Sequence, residues 1–286
     1  MGRSIITWLL ALSVTAGAWP QREQRELPPF PAGEKLVYEV KISRFPIYAT
    51  VGEVTFEYLG SQPAPVIPGL SEPLPGAADD VLIHLRAGAV SKGLLTGLFN
   101  IDIFNRYETL VDARDFAARV SFKEAKESKR HTIETSVFDR SAQAVRYTRA
   151  EPDKPAAPPR EKLLPRLDGM ADVLSAFYFV RLQKLKAGRM LSFPVSNEGE
   201  NYQFEIVIHK PERLQTEWGK VKAIKLEPKV FGPGQIFSRP GEMWMWVTDD
   251  EGHVPVKMLA KTDDATITVT LVRQAQKCRR AASLRG

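Results

Sequence analysis

Apolar and polar residues alternate along most of this chain, and the alternation predicts strands. From Glu34 to Ile42, the residues Leu36, Tyr38, Val40 and Ile42 share one face, while Glu39 and Lys41 share the other. That is the pattern of a half-buried strand. A second strand is predicted over residues 48–59, with Val54, Phe56 and Tyr58 aligned. Gly52 inside it signals a bulge or a close backbone approach. Similar patterns predict strands over 81–90, 99–110, 116–123, 130–138, 144–148, 190–195, 201–210, 220–226 and 266–272, with a short one near 235–237. The clearest hairpin joins 243–248 to 254–260 through Asp249-Asp250-Glu251-Gly252, where Gly252 is expected to supply a positive φ.

One segment breaks the alternation. Residues 168–187 read as a long helix with an apolar centre, Val173 to Val180. Asp168 or Asp172 is the expected N-cap, and Gly188 the expected stop. Many short strands, hairpin-length turns and one helix predict a mainly β protein. It is an antiparallel barrel-like or two-sheet fold with one long buried helix at about 168–187. Two stretches with five prolines each, 61–78 and 151–165, read as insertions in a single domain over 30–273; a division near residue 160 is the alternative.

The N-terminus adds a compartment. Arg3, the apolar run from Ile5 to Val14 and Ala16-Gly17-Ala18 form the pattern of a secretory signal peptide, cut after Ala18. A linker over 19–29 follows. The run lacks a following cysteine, which argues against lipidation, so a periplasmic location is expected. Removing Arg3 and the tail cations Lys277, Arg279, Arg280 and Arg285 from the formal +6 leaves +1. The basic character therefore sits in a tail, 274–286, expected to be disordered. Such a tail is suited to peripheral membrane contact, and no nucleic-acid partner is expected. The single cysteine, Cys278, lies in that tail, so no internal disulfide forms.

Candidate chemistry is sparse. The four histidines, His84, His131, His209 and His253, show no metal-ligand spacing. No nucleophile elbow or phosphate loop occurs. Asp249, Asp250 and His253 sit on a turn that favours Asp for backbone reasons. No catalytic residue, metal site or cofactor is expected. Arg181 stands out, because a guanidinium among apolar helix neighbours needs a partner. It either pairs with a strand carboxylate or binds an anion in a pocket. Phe177, Tyr178, Trp244 and Trp246 either pack as core or line an apolar cavity with it.

Four places resemble a bacterial exported family called domain of unknown function 3108. They are Phe30-Pro-Ala-Gly-Glu-Lys-Leu-Val-Tyr38, Asp172-Val-Leu-Ser-Ala-Phe-Tyr-Phe-Val-Arg181, Leu185-Lys-Ala-Gly188, and Trp246-Val-Thr-Asp-Asp250 with Val254-Pro-Val256. The resemblance implies a β-rich envelope protein and supplies no reaction. The expected role is non-catalytic binding of an apolar or amphiphilic envelope component, a lipid for example, with Arg181, Phe177, Tyr178, Trp244 and Trp246 as ligand-binding residues. The alternatives are a structural module that holds an envelope protein partner, and a hydrolase of an envelope polymer.

Overall fold

The alternating segments form one antiparallel sheet. The computed structural model describes residues 28–63, 81–92, 102–232, 235–237 and 240–275. The expected signal peptide, most of the linker and of the first proline-rich stretch, the start of the strand expected over 99–110, and the tail with Cys278 lie outside the described residues. The first eight strands are β1 Glu34–Arg44, β2 Ile47–Pro63, β3 Val81–Ser91, β4 Ile103–Asp112, β5 Ala118–Glu127, β6 Arg130–Asp139, β7 Ala144–Ala150 and β8 Arg160–Pro165. The helix α1, Val173–Arg181, follows. Then come β9 Met190–Asn197, β10 Glu200–Thr216, β11 Gly219–Pro228, β12 Glu242–Thr248, β13 Pro255–Lys261 and β14 Thr266–Ala275.

Strand order is β8-β7-β6-β5-β4-β3-β2-β1-β14-β13-β12-β11-β10-β9. Nearly every neighbour is also the next strand in sequence, so the sheet is a run of hairpins. The exception is β1 beside β14, which ties the two halves together across the residue-160 region. The order breaks between β8 and β9, and that is where α1 is inserted. The sheet is not closed strand to strand there. Instead the crossing segment is laced to both sides: Ala118 N donates to Met170 O at 2.9 Å, Ala171 N to Pro194 O at 3.0 Å, and Ser196 N to Ala171 O at 2.9 Å.

This lacing explains why the helix is nine residues long and not the twenty expected. Met170 and Ala171 have backbone groups claimed by the sheet before the helix begins. Beyond its end, Gly188 N bonds Ile208 O at 2.8 Å and Ile208 N bonds Arg189 O at 2.9 Å, drawing the chain onto β10. Gly188 has φ +80, but it serves that pairing and is not the helix stop. The second proline-rich stretch also differs from expectation, since its last part is β8. An edge strand needs hydrogen bonds on one side only, and Pro165 at its end costs no ladder bond.

Gly52 fulfils both parts of its reading. The β1–β2 register shifts opposite Val51, between the pairs Val40↔Gly52 and Lys41↔Thr50. A Cβ at Gly52 would lie 2.7 Å from Val90 O. In the last hairpin the positive φ falls on His253 (φ 40) and not on Gly252. Residues 235–237 form no strand; Phe237 makes only an isolated bridge to Phe231.

Asp172 caps α1. Its carboxylate accepts from Ser175 N at 2.8 Å, and Ser175 Oγ accepts from Asp172 N at 2.9 Å, a reciprocal capping box. Thr109 Oγ1 of β4 donates to the other carboxylate oxygen at 2.7 Å. Burial nevertheless dominates and raises the Asp172 pKa, with the bonds from Ser175 and Thr109 opposing it. A raised folded pKa means that its stabilising share is complete below the unfolded value and is lost as pH rises through the folded one. Asp172→Asn keeps an efficient cap without the charge, so its stability relative to wild type rises from pH 4 to pH 7 in urea unfolding. Asp172→Ala falls about 1–2 kcal/mol below Asp172→Asn at pH 7.

Candidate functional site

The α1 face of the sheet is filled by side chains. Phe177 stacks on Phe56 with centroids 4.0 Å apart and planes 6° apart. Tyr178 is fully buried, edge-on to Phe30 at 5.6 Å. Arg181 pairs with Glu34 at the first residue of β1 through two bonds, Nη1 to Oε2 at 2.7 Å and Nη2 to Oε1 at 3.0 Å. Its Nε donates to Gly252 O at 3.1 Å, and the guanidinium lies 4.2 Å from the Phe30 ring centroid. Both charged side chains are at most 2% exposed. The strand carboxylate that a buried guanidinium requires is thus Glu34, and His253 Nδ1 bonds the Arg181 carbonyl at 3.0 Å to fix the same corner.

Phe177, Tyr178 and Arg181 are therefore together on the helix. Trp246 belongs to a second buried cluster, with Leu36, Tyr38 and Leu271, against which both Phe177 and Trp244 pack. Along β12, Met245 and Val247 enter the core under α1, so the alternate residues Trp244 and Trp246 point to the other face. There Lys225 lies 5.0 Å from the Trp244 ring and 5.6 Å from that of Trp246. Trp246 Nε1 donates to Glu212 Oε1.

A cleft of about 180 Å³ opens elsewhere, over β5, β6 and β7. It is lined by Lys123, Ala125, Glu127, Arg130, Thr132, Glu134, Arg149 and Glu198. Register places them together: Lys123 opposes Glu134, Ala125 opposes Thr132, Glu127 opposes Arg130, and Arg149 opposes Glu134. Lys123 also opposes Tyr107, which packs against the α1 core, so the cleft lies on the helix side of the sheet.

Its wall comes from the β9–β10 turn. Glu198 has φ 50 and its carboxylate meets Lys123 Nζ at 2.6 Å. Gly199 has φ +74, and a Cβ there would lie 2.6 Å from Tyr147 Cδ1. Only glycine permits both that conformation and that approach. Glu134 is 5% exposed and is surrounded by donors. Tyr147 Oη donates to it at 3.0 Å, with Arg149 at 3.5 Å and Lys123 at 3.7 Å. Burial, then the Glu134 charge and hydrogen bond, push the Tyr147 pKa up, so it stays a donor. Burial lowers the Lys123 pKa, but the Glu198 bond and the Glu134 charge outweigh it and the net shift is upward. Lys123 is a fixed cation. The Arg149 Nε is buried with no hydrogen-bond partner among the described residues.

Sequence reading missed this cleft. In β5, Val120 and Phe122 mark one face as apolar, which leaves Lys123 on the polar one. Alternation identifies a polar face; it does not say that a distant turn will cover it. The only local signal is the Glu198-Gly199 pair between β9 and β10.

Among the described residues, no three His, Cys, Asp or Glu side chains gather to hold a metal. The turn aspartate Asp250 accepts from Thr248 Oγ1 at 2.8 Å and Gly252 N at 3.0 Å.

A family model described as "Protein of unknown function (DUF3108)" matches residues 76–272. The matched span includes α1 and the β12–β13 hairpin. No curated protein matches the sequence. Among solved structures, the chain is similar to a β-barrel-like protein of domain of unknown function DUF1849 from Brucella abortus. That match has 9% identity and a TM-score of 0.51, covering 88% of this chain and 99% of the other. The likeness is one of fold. A candidate lipoprotein from Parabacteroides distasonis aligns over 87% of this chain and 97% of its own, with 9% identity and a TM-score of 0.30.

Proposed function

We propose that this chain, which belongs to the DUF3108 family of proteins of unknown function, is an exported cell-envelope protein that binds an amphiphile by its polar head group without transforming it. The observation that carries this reading is the cleft lined by three cations and three carboxylates. A head group bearing both a phosphate and an ammonium exchanges partners with such a lining and leaves no charge unpaired. Its phosphate meets Lys123 and Arg149, whose Nε awaits an acceptor. Its ammonium meets Glu198 and Glu127.

Size supports a head group over a whole lipid. The cleft, about 180 Å³, falls below the roughly 300 Å³ at which pockets for complete small ligands begin. The acyl chains stay outside it. Binding without turnover is supported by the setting of Glu134, whose Oε2 accepts the Tyr147 hydroxyl at 3.0 Å with Arg149 and Lys123 beside the other oxygen. Export, and the periplasm as destination, rest on the Arg3, Ile5–Val14 and Ala16-Gly17-Ala18 pattern.

Calorimetry with glycerophosphoethanolamine as the probe tests the reading. Wild type binds it, and Lys123→Gln and Arg149→Gln each weaken binding about tenfold or more, as loss of a charge-assisted hydrogen bond requires. The probe is recovered intact by mass spectrometry. Equal binding by wild type and both variants, absence of binding, or cleavage of the probe defeats it.

A further inference from the structure

We infer that the cleft selects a primary ammonium head group, and that Asn105 of β4 is the residue that reads it. This rests on the head-group reading above and extends it to the chemistry of the cationic end. Cross-strand register sorts the site into three rows. Lys123, Glu134 and Arg149 form the first; Asn105, Ala125 and Thr132 the second; Glu127 and Arg130 the third. Directly opposed residues share a face, so Asn105 stands on the cleft side of the sheet. Successive rows are about 7 Å apart, two residues along a strand.

The second row is the floor. Its members are each at most 9% exposed, and Ala125 and Thr132 are short side chains between two rows of long ones. Asn105 brings an unmet acceptor to this floor. Its Nδ2 donates to Glu127 Oε1 at 2.9 Å, and a carboxylate, which only accepts, fixes the amide in that orientation. Its Oδ1 is buried with no hydrogen-bond partner among the described residues. The opposed Ala125 has no side-chain donor to offer. A buried amide oxygen without a donor is costly, and an N–H from a ligand removes that cost.

A primary ammonium fits this point, because it carries three N–H donors and a charge. One donor meets Asn105 Oδ1, a second meets Glu127, and the third turns to Glu198. The phosphate, two carbons away in an ethanolamine ester, stays on the first row with Lys123 and Arg149. Arg160 lies directly opposite Arg149 and adds positive charge at that end. In the third row Arg130 opposes Glu127 and competes for its carboxylate. Glu127 alone therefore does not fix the ammonium, and the Asn105 oxygen decides.

A trimethylammonium has no N–H and leaves Oδ1 unmet. Such cations are held by aromatic faces, and the residues lining the cleft include none. Two rings beside it are already engaged. Lys123 Nζ lies 6.0 Å from the Tyr107 centroid, and Tyr147 is packed against Gly199. A hydroxyl in the same place satisfies Oδ1 but brings no charge to Glu127.

The test is calorimetry of the full chain with glycerophosphoethanolamine, glycerophosphocholine and glycerophosphoglycerol. Wild type binds the first about tenfold or more tighter than either of the others, as a hydrogen bond to a charged group requires. Asn105→Leu lacks both the acceptor and the donor to Glu127, and narrows the preference to about threefold or less. Asn105→Asp also lacks the donor but keeps an acceptor, and it keeps the preference. Urea unfolding of both variants establishes that they are folded, and the wild-type preference tests the selectivity without them. Equal binding of the ethanolamine and choline probes, weakened for both by Lys123→Gln, overturns the inference while the head-group reading stands. An unchanged preference in Asn105→Leu overturns the role of Asn105. So does loss of the preference in both variants, which makes the residue only a support for Glu127. Binding of none of the three probes overturns the inference and the head-group reading together.

Discussion

Replacing Arg181 by Ala is expected to cost about 3–5 kcal/mol of stability, the usual penalty for leaving one member of a buried ion pair alone. Glu34 would then be a carboxylate 2% exposed that has lost its guanidinium partner. The loss has three parts. Two charge-assisted hydrogen bonds to Glu34 disappear, the Gly252 carbonyl loses its donor, and the Phe30 ring loses the guanidinium stacked on it. Because Glu34 opens β1 and Gly252 belongs to the β12–β13 turn, the pair fastens the helix end to both halves of the sheet. The double variant Glu34→Met with Arg181→Met recovers most of the stability, since apolar replacements of similar volume offset the removed pair. Urea unfolding of the two single variants and the double variant measures this. A double variant no more stable than the singles contradicts the account of the pair. Neither single variant is expected to alter head-group binding if it is folded at the assay temperature.

The second large effect is expected at Gly199. A valine there meets Tyr147 at well under contact distance and takes up a left-handed conformation that β-branched residues avoid. Overpacking costs about 1–3 kcal/mol, and the left-handed backbone adds about 1–2 kcal/mol. The turn is small and local, so most of this is relieved by lifting it off β7. That movement carries Glu198 away from Lys123. Head-group binding therefore falls more than stability does, and Gly199→Ala shows a weaker form of both. Calorimetry beside urea unfolding separates the two readings. Equal loss in stability and none in binding shows that the turn is not a wall of the cleft.

Strand positions were legible because a half-buried strand must alternate, and β1 and β10 do so clearly. Gly52 was legible for a steric reason: only the lack of a Cβ explains glycine inside an apolar strand. The helix was legible in its centre and cap but not in its length. Met170, Ala171, Gly188 and Arg189 have backbone groups taken by β5, β9 and β10, and pairing across the fold leaves no local trace. Arg181 was legible as a residue in need of a partner, and its partner lay 147 residues away. The tryptophans were expected beside the helix because both faces of β12 are apolar. Alternation alone separates Trp244 and Trp246 from Met245 and Val247. The cleft was illegible because Lys123, Glu134 and Arg149 become a site only where the Glu198-Gly199 turn lands on them.

The central claim is that the polar cleft, and not the apolar surroundings of α1, holds the ligand. A crystal structure of the protein soaked with glycerophosphoethanolamine tests it most directly. The account predicts the phosphate within hydrogen-bond distance of Lys123 and Arg149, with the ammonium toward Glu198 and Glu127. Density for the molecule beside Phe177, Tyr178 and Arg181, or an empty cleft at saturating probe, contradicts it.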